Sequence, residues 1–288
     1  IAETSSSIAE AALIGSRGNA GIIFAQFLMG VSKASENLEH LNPSSFSSVM
    51  NQAVSHTYQS TEQPVEGTIL TVMKEWASSL KSTEEKRQNF YNRLSYSLER
   101  AKTSLQKTKE KLDILREENV VDAGAKGFVI FLEGVLESII YGKTVDKAPE
   151  VESTEIEEHH KISHHSVKLK ERYCTEFLLS GNNMDLKKIE SKAKKMGSSL
   201  IIAGSSSLAR IHVHTDTPAK LLSELREFGT PTQQKVDDMQ RQNDMLAGDH
   251  PNIAIVTDSA CDLPQQFMDK YGIHMVPLSV EFEDEIYL

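Results

Sequence analysis

The spacing of apolar residues changes character part-way along this chain, and that change dictates its architecture. Up to about residue 145, apolar positions recur at three and four residues, the period of a helix. Asn42 with Pro43 makes a cap and first-turn pair, and Phe46, Val49, Met50, Ala53, Val54 and Tyr58 follow at helical spacing. Pro64 stops that helix, and Gly67-Thr68 starts the next through Ile69, Val72, Met73 and Trp76. Leu94, Leu98, Ala101, Leu105, Leu112 and Leu115, with Thr108 filling the gap, predict one long helix packed along an antiparallel neighbour. Val129, Leu132, Val135, Leu136 and Ile139 mark the last helix of this region. From residue 167 short strands and helices alternate. The strands are expected at 173–179, 199–203 and 208–214, and the helices at 186–196 and 218–228. That β-α-β-β-α order predicts a small two-layer α/β domain. Residues 251–288 open a third unit, with a buried-type strand at 253–257, a helix at 263–271 and a strand at 273–280. The expected fold class is multidomain α and α/β, divided as 1–145, a polar linker at 146–166, 167–250 and 251–288.

Bulk properties narrow the function classes. The 288 residues are 39% hydrophobic and 25% charged, as in a soluble globular chain. A net charge of −10 argues against general nucleic-acid binding, which needs a basic surface. Two cysteines, Cys174 and Cys261, cannot form a disulfide framework and suggest a reducing compartment. The most apolar stretch, 128–141, contains Glu133 and Glu137 and is too short to span a bilayer. With no signal-peptide pattern, a cytoplasmic location is expected. Ile1 falls inside a helical pattern and no closing element follows Glu285-Ile286-Tyr287-Leu288, so a fragment of a longer protein is expected.

Three stretches carry candidate chemistry. In the first, Gly15-Ser16-Arg17-Gly18-Asn19-Ala20-Gly21, three glycines recur every third residue between two helical runs. Glycine permits a sharp turn and bare N–H groups, and those amides open a helix whose dipole favours an anion. Arg17 adds a forked donor set. The stretch reads as a phosphate cradle or as a tight helix–helix turn. It is neither a P-loop, since no Gly-Lys-Ser/Thr follows, nor a dinucleotide fingerprint, since no strand precedes it.

This stretch, Pro64-Val65-Glu66-Gly67-Thr68-Ile69-Leu70-Thr71 and Val120-Val121-Asp122-Ala123-Gly124-Ala125-Lys126-Gly127 together resemble three landmarks of one family. It is the nucleotide-binding domain of dihydroxyacetone kinases, in the version found in bacterial fatty acid kinases. The resemblance implies an all-α barrel holding Mg2+ and ATP at one end. Arg17, Gly18 and Asn19 would lie near the phosphates, within a nucleotide set that also takes in Gly15, Ser16 and Gly21. Gly67 and Thr68 would stand at a helix start, and Asp122 with Gly124 near a lid. Each has a plainer reading: Gly67-Thr68 is also an ordinary cap, and Asp122-Ala123-Gly124 an ordinary helix boundary. The family's Mg-binding aspartates, in an Asp-Gly-Asp motif with a following Asn, have no counterpart in this sequence.

The second candidate is Cys174 with His212 and His214. Residues i and i+2 of a strand share a face, so the two histidines point the same way, and Cys174 lies on another strand of the same expected sheet. One thiolate and two imidazoles suit zinc with a fourth position open, and Glu176, on the face of Cys174, could assist. Two histidines on a strand are also often half-buried polar residues. Tyr173-Cys174-Thr175-Glu176-Phe177 and 210–218 also resemble the middle domain of fatty acid kinases, whose corresponding Cys and two His hold a metal. His159, His160, His164 and His165 offer a rival metal set in a segment that otherwise reads as a solvated linker.

The third candidate, Val256-Thr257-Asp258-Ser259-Ala260-Cys261-Asp262-Leu263-Pro264, resembles the first motif of DegV-type fatty-acid-binding proteins, as does 271–278. Thr257, Asp258 and Ser259 would lie near a lipid carboxylate. The alternative is a plain strand-to-helix cap by Asp262 with Pro264 in the first turn. Together the resemblances imply ATP-dependent phosphorylation of a fatty acid carboxylate. A dihydroxyacetone-type kinase and a non-catalytic lipid-binding protein are the rivals. Homodimerisation is compatible with any of these, and the sequence leaves it open.

Overall fold

A computed structural model describes residues 1–82, 89–142, 169–247 and 253–287 apart from 277, 279, 283 and 284. The histidines at 159, 160, 164 and 165 lie outside the described residues. Contacts divide the chain into two units, one comprising Ile1–Ser163 with Tyr173–Asp237 and the other His164–Arg172 with Asp238–Leu288.

The first unit begins with helices: α1 (Ala2–Gly15), α2 (Gly18–Ser35), α3 (Pro43–Gln59), α4 (Ile69–Ser82), α5 (Phe90–Lys111), α6 (Asp113–Glu117) and α7 (Ala123–Tyr141). The signals that start them are local. Asn42 accepts from the amides of Ser44 and Ser45 while Ser45 returns a bond to the Asn42 amide, a complete capping box ahead of Pro43. Asp122 caps α7 by accepting from the Ala125 amide at 2.7 Å. The expected long helix breaks at Leu112, whose backbone is extended at φ −116° and ψ 124°. Arg116 reaches back to the Glu110 carbonyl and to Asp113 at 2.9 Å, so the exposed carbonyl end of α5 is satisfied from beyond the break. One apolar core, including Ile22, Phe27, Leu70, Met73, Trp76 and Phe128, joins α2, α4 and α7.

The same unit continues as a small sheet built from β1 (Tyr173–Ser180), β2 (Ser198–Gly204), β3 (Leu208–Thr215) and β4 (Thr230–Asp238), in the order β2-β3-β1-β4. Helices α8 (Leu186–Ala193) and α9 (Pro218–Leu225) contribute to its covering layer. β1 pairs antiparallel with β3, and β2 antiparallel with β3. Phe177, Leu179, Ala209, Ile211 and Val213 form a core with Ile189, Leu221 and Leu225 of the two helices. The fourth strand was not expected. It lies at an edge and is mostly exposed, so it lacks the alternation that announces a half-buried strand.

The sheet's opposite face meets the helices. Ile201 and Ala203 belong to the helical core, Thr61 forms an isolated antiparallel bridge with Ile201, and the Gln26 amide donates to the Ile202 carbonyl. A bulge between Ser198 and Ile201, with Ser199 at φ +54°, lets β2 bend onto this surface.

The second unit contains α10 (Met239–Ala247), β5 (Ile255–Asp258), α11 (Gln265–Lys270), β6 (Ile273–Val276), β7 (Val280–Phe282) and β8 (Glu285–Tyr287). β5 pairs parallel with β6, and β7 antiparallel with β8. The strand expected to be buried at 253–257 is instead exposed, with Ile253 at 77%. Its sole ladder partner among the described residues is β6, and Met268 and Ile273 are the buried apolar residues there.

Candidate functional site

Three helices of the first unit begin at one place. Ideal Cβ positions show how tightly their first turns meet: a methyl on Gly124 would lie 2.8 Å from Ala20 Cβ and 3.5 Å from Ile69 Cβ. Gly124 therefore lets the starts of α2, α4 and α7 converge. Gly67 turns the chain into α4 at φ +90°, and a methyl there would press on Lys111 at 2.8 Å. Thr71 Oγ accepts from the Gly67 amide at 2.8 Å and donates to Glu66 at 2.5 Å, which fixes the turn. Thr68 Oγ accepts from the Leu70 amide at 3.4 Å.

A cavity of about 320 Å³ opens where these helices start. Asn19, Ala20, Ile23, Thr68, Ile69 and Asp122 line it from the helical side, with Thr61, Glu62 and Gln63. Ser199, Leu200 and Ile201 close it from the sheet. Three helix dipoles point their positive ends here, which favours an anion, while Glu62 and Asp122 place carboxylates in the wall and the Gly18, Leu70 and Ala125 amides already donate to Glu176, Thr68 and Asp122. Asn19, Thr68 and Asp122, from three separate sequence stretches, thus share one cavity.

The remaining residues of the glycine stretch, Gly15, Ser16, Arg17, Gly18 and Gly21, do not line this cavity. Gly18 sits at φ +62° with open space where a side chain would be, Gly15 has no atom within 4 Å of its ideal Cβ, and Gly21 rests on Ser16 at 3.6 Å. Ser16 is buried and donates to the Leu13 carbonyl at 2.9 Å. Arg17 folds back onto the end of α1, donating to the carbonyls of Ile14 at 3.3 Å and Ser16 at 2.9 Å.

The sheet's polar face builds the second cluster. The β1–β3 register sets Cys174 opposite His214 and Glu176 opposite His212. Cys174, His212 and His214 offer ligand atoms all within 4.8 Å of one another. Cys174 Sγ lies 3.7 Å from His212 Nδ1 and 4.0 Å from Nε2, and the two imidazoles are 5.1 Å apart. Among the described residues this is the one group of three or more Cys, His, Asp or Glu placed to share an ion.

Electrostatics suit a cation at that cluster. Burial, followed by the charges of Glu176 and Asp237, pushes the Cys174 thiol up to about 11. Glu176 is held below the usual carboxylate range, first by the hydrogen bond with His212 and further by the Gly18 amide, against the cost of burial. A metal would reverse the penalty on the thiolate. The donor set, one soft sulfur and two imidazoles with a carboxylate beside one of them, fits zinc.

The two clusters touch. Glu176 Oε1 is 2.9 Å from His212 Nδ1, and Glu176 Oε2 accepts from the Gly18 amide at 3.3 Å. Arg210, also on β3, donates to the carbonyls of Ile14 and Ser16 at 2.9 and 2.8 Å. Arg210 and the 199–201 segment were absent from the sequence-based site. Nothing local marks them, because their partners lie far away along the chain.

Thr257, Asp258 and Ser259 lie in the second unit, at the end of β5. Asp258 accepts from the Ala260 amide at 3.0 Å, and Ser259 Oγ from the Leu278 amide at 2.9 Å. Asp258 thus fixes the turn after β5, while Ser259 ties it to the segment after β6.

Fold and site together define a class: a helical domain with a cavity at its converging helix starts, joined to a sheet domain that presents a thiol and two imidazoles. Comparison with known families gives three successive matches. A DAK2 domain matches residues 1–137, the FakA-like middle domain of fatty acid kinases matches 170–246, and the DegV family matches 252–288. The chain belongs to the fatty acid kinase family that carries these domains. Protein YloV of Bacillus subtilis is 30% identical over 253 residues, covering 84% of this chain and 46% of YloV. An uncharacterized protein of Staphylococcus saprophyticus is 32% identical over 254 residues, covering 84% of this chain and 45% of its own. The chain thus spans about half the length of the curated relatives it matches. No helix among the described residues is long and apolar enough to cross a membrane.

Proposed function

We propose that this chain is the nucleotide-binding and metal-bearing part of an ATP-dependent kinase that phosphorylates a fatty acid carboxylate. The observation that carries the reading is the hydrogen bond from the Gly18 amide to Glu176, which sets the phosphate-favouring helix starts against the Cys174–His212–His214 cluster. The helical region acts as a barrel-like holder for ATP, with Gly18, Asn19 and the start of α2 binding phosphate oxygens. Thr68 and Asp122 orient the nucleotide from the opposite wall, while Gly67 and Gly124 allow the helices to approach. Arg17 swings from the α1 carbonyls toward developing charge. A DegV-like β-α-β unit begins at β5, and Thr257, Asp258 and Ser259 face the lipid carboxylate. The fatty acid is the partner substrate, and the protein works in the cytoplasm.

In the transfer, a carboxylate oxygen forms the new bond to the γ-phosphorus while the bond to the bridging oxygen of ADP breaks. The products are an acyl phosphate and ADP, and no phosphoenzyme forms. A metal bridging the phosphates supplies charge neutralisation in such reactions. The Asp-Gly-Asp motif that would hold Mg2+ does not occur in this sequence. At the second cluster, Cys174, His212 and His214 would hold zinc, which organises the sheet face. Glu176 holds the His212 proton at Nδ1 and so leaves Nε2 as a ligand.

The test is product chemistry. A protein covering the full length of the relatives, incubated with Mg-ATP and a long-chain fatty acid, should yield a hydroxamate when quenched with hydroxylamine. Phosphorylation of dihydroxyacetone in place of the fatty acid would support the other kinase reading and overturn this one.

A further inference from the structure

One side chain joins the two clusters, and it uses a different oxygen for each. Glu176 Oε1 meets His212 Nδ1 at 2.9 Å, and Oε2 takes the Gly18 amide at 3.3 Å. The carboxylate is buried, with its side chain 5% exposed, so water cannot readily replace either partner. Arg210, two residues from His212 on the same strand face, grips the carbonyls of Ile14 and Ser16 and holds the turn against the sheet.

We propose that Glu176 is a positioning residue that couples ion binding at Cys174, His212 and His214 to phosphate binding at the Gly18–Asn19 turn. This rests on the nucleotide and metal reading above. The sign follows from competition for one amide. A phosphate oxygen at Gly18 displaces Glu176 Oε2, which commits the carboxylate to His212. A cation on His212 Nε2 makes Nδ1–H a stronger donor and draws Glu176 the same way, freeing the amide. The cation also offsets the carboxylate charge that faces an arriving phosphate. All three effects favour one arrangement, so each ligand tightens the other. By linkage the factor is the same in both directions.

The experiment uses the protein at the full length of the relatives, Co2+ and the ATP analogue AMP-PNP with Mg2+. Calorimetry gives the AMP-PNP affinity of metal-free and Co2+-loaded protein. The thiolate-to-cobalt absorption band gives the Co2+ affinity with and without AMP-PNP. The expected result is a roughly fivefold or greater tightening, equal in both directions, within the range of measured couplings. Glu176→Gln has one acceptor oxygen where the carboxylate has two, so it cannot hold both donors. It should still bind Co2+ through Cys174 and the imidazoles, with the coupling reduced toward one. Independent affinities in the wild-type protein overturn the coupling alone, a result that needs no variant to fold. An undiminished factor in folded Glu176→Gln removes Glu176 from it. Failure of Co2+ or of AMP-PNP to bind overturns the underlying reading, and the coupling with it.

Discussion

Glu176 on β1 accepts a hydrogen bond from the backbone amide of Gly18, 158 residues earlier, at 3.3 Å. The contact ties the first turn of α2 to a strand face that also bears Cys174, His212 and Arg210. It holds the start of α2 against the sheet's polar face.

The Cys174 cluster should hold one zinc per chain. Cys174→Ser with His212→Ala should lose it, whereas Cys261→Ser and substitution of His159, His160, His164 and His165 should keep it. Because the metal-free thiol stands near 11, uptake near neutral pH displaces its proton. Affinity should therefore rise with pH by about tenfold per unit around neutrality. Elemental analysis of untagged protein, with a competitive chelator titration across pH, provides the check. Stoichiometry near zero, or metal that follows the linker histidines, rejects the assignment.

Phosphate transfer by this chain alone should not exceed background, since the carboxylates that would hold Mg2+ are not in its sequence. A coupled assay for ADP release provides the measurement. Metal-dependent turnover abolished by Arg17→Ala would contradict the expectation.

The turn before α4 should show a pH-dependent contribution from Glu66. Its carboxyl is held below the usual range, first by the Thr71 hydroxyl and then by Tyr58, Lys74 and Lys111, against the opposing cost of burial. A depressed folded value means the unfolded chain binds the proton more readily. The stabilisation is then complete above the unfolded value of about 4.3 and is lost as pH falls through the lower folded value. Glu66→Gln should cost about 1 kcal/mol near neutrality, a small figure because the side chain is half exposed to screening solvent. Urea midpoints of the two proteins should converge in acid. A gap that stays constant with pH would assign the loss to packing.

Local signals were readable. The Asn42-Pro43 cap, the Asp122 boundary and the alternating strands around Cys174 and His212 predict elements that the structure contains. The strand alternation also places the two histidines on one face. What could not be read was decided elsewhere in the chain. Edge strand β4, with Gln233, Gln234, Lys235 and Asp237, carries no buried alternation. The break at Leu112 depends on Arg116 capping Glu110 from beyond it. Arg210 looks like any strand arginine until Ile14 and Ser16 are brought to it.

The central claim is that the starts of α2, α4 and α7 bind nucleotide phosphates, and calorimetry with Mg-ATP tests it most directly. A protein covering the full length of the relatives should bind Mg-ATP. Gly18→Val should weaken binding, because valine is strained at φ +62° and fills the open space before the amide. Asn19→Ala should weaken it by removing a polar group from the cavity wall. Weakening in both variants, each with an unchanged circular dichroism spectrum, is the predicted result; affinity unchanged in both would contradict the account and take the glycine turn out of the site.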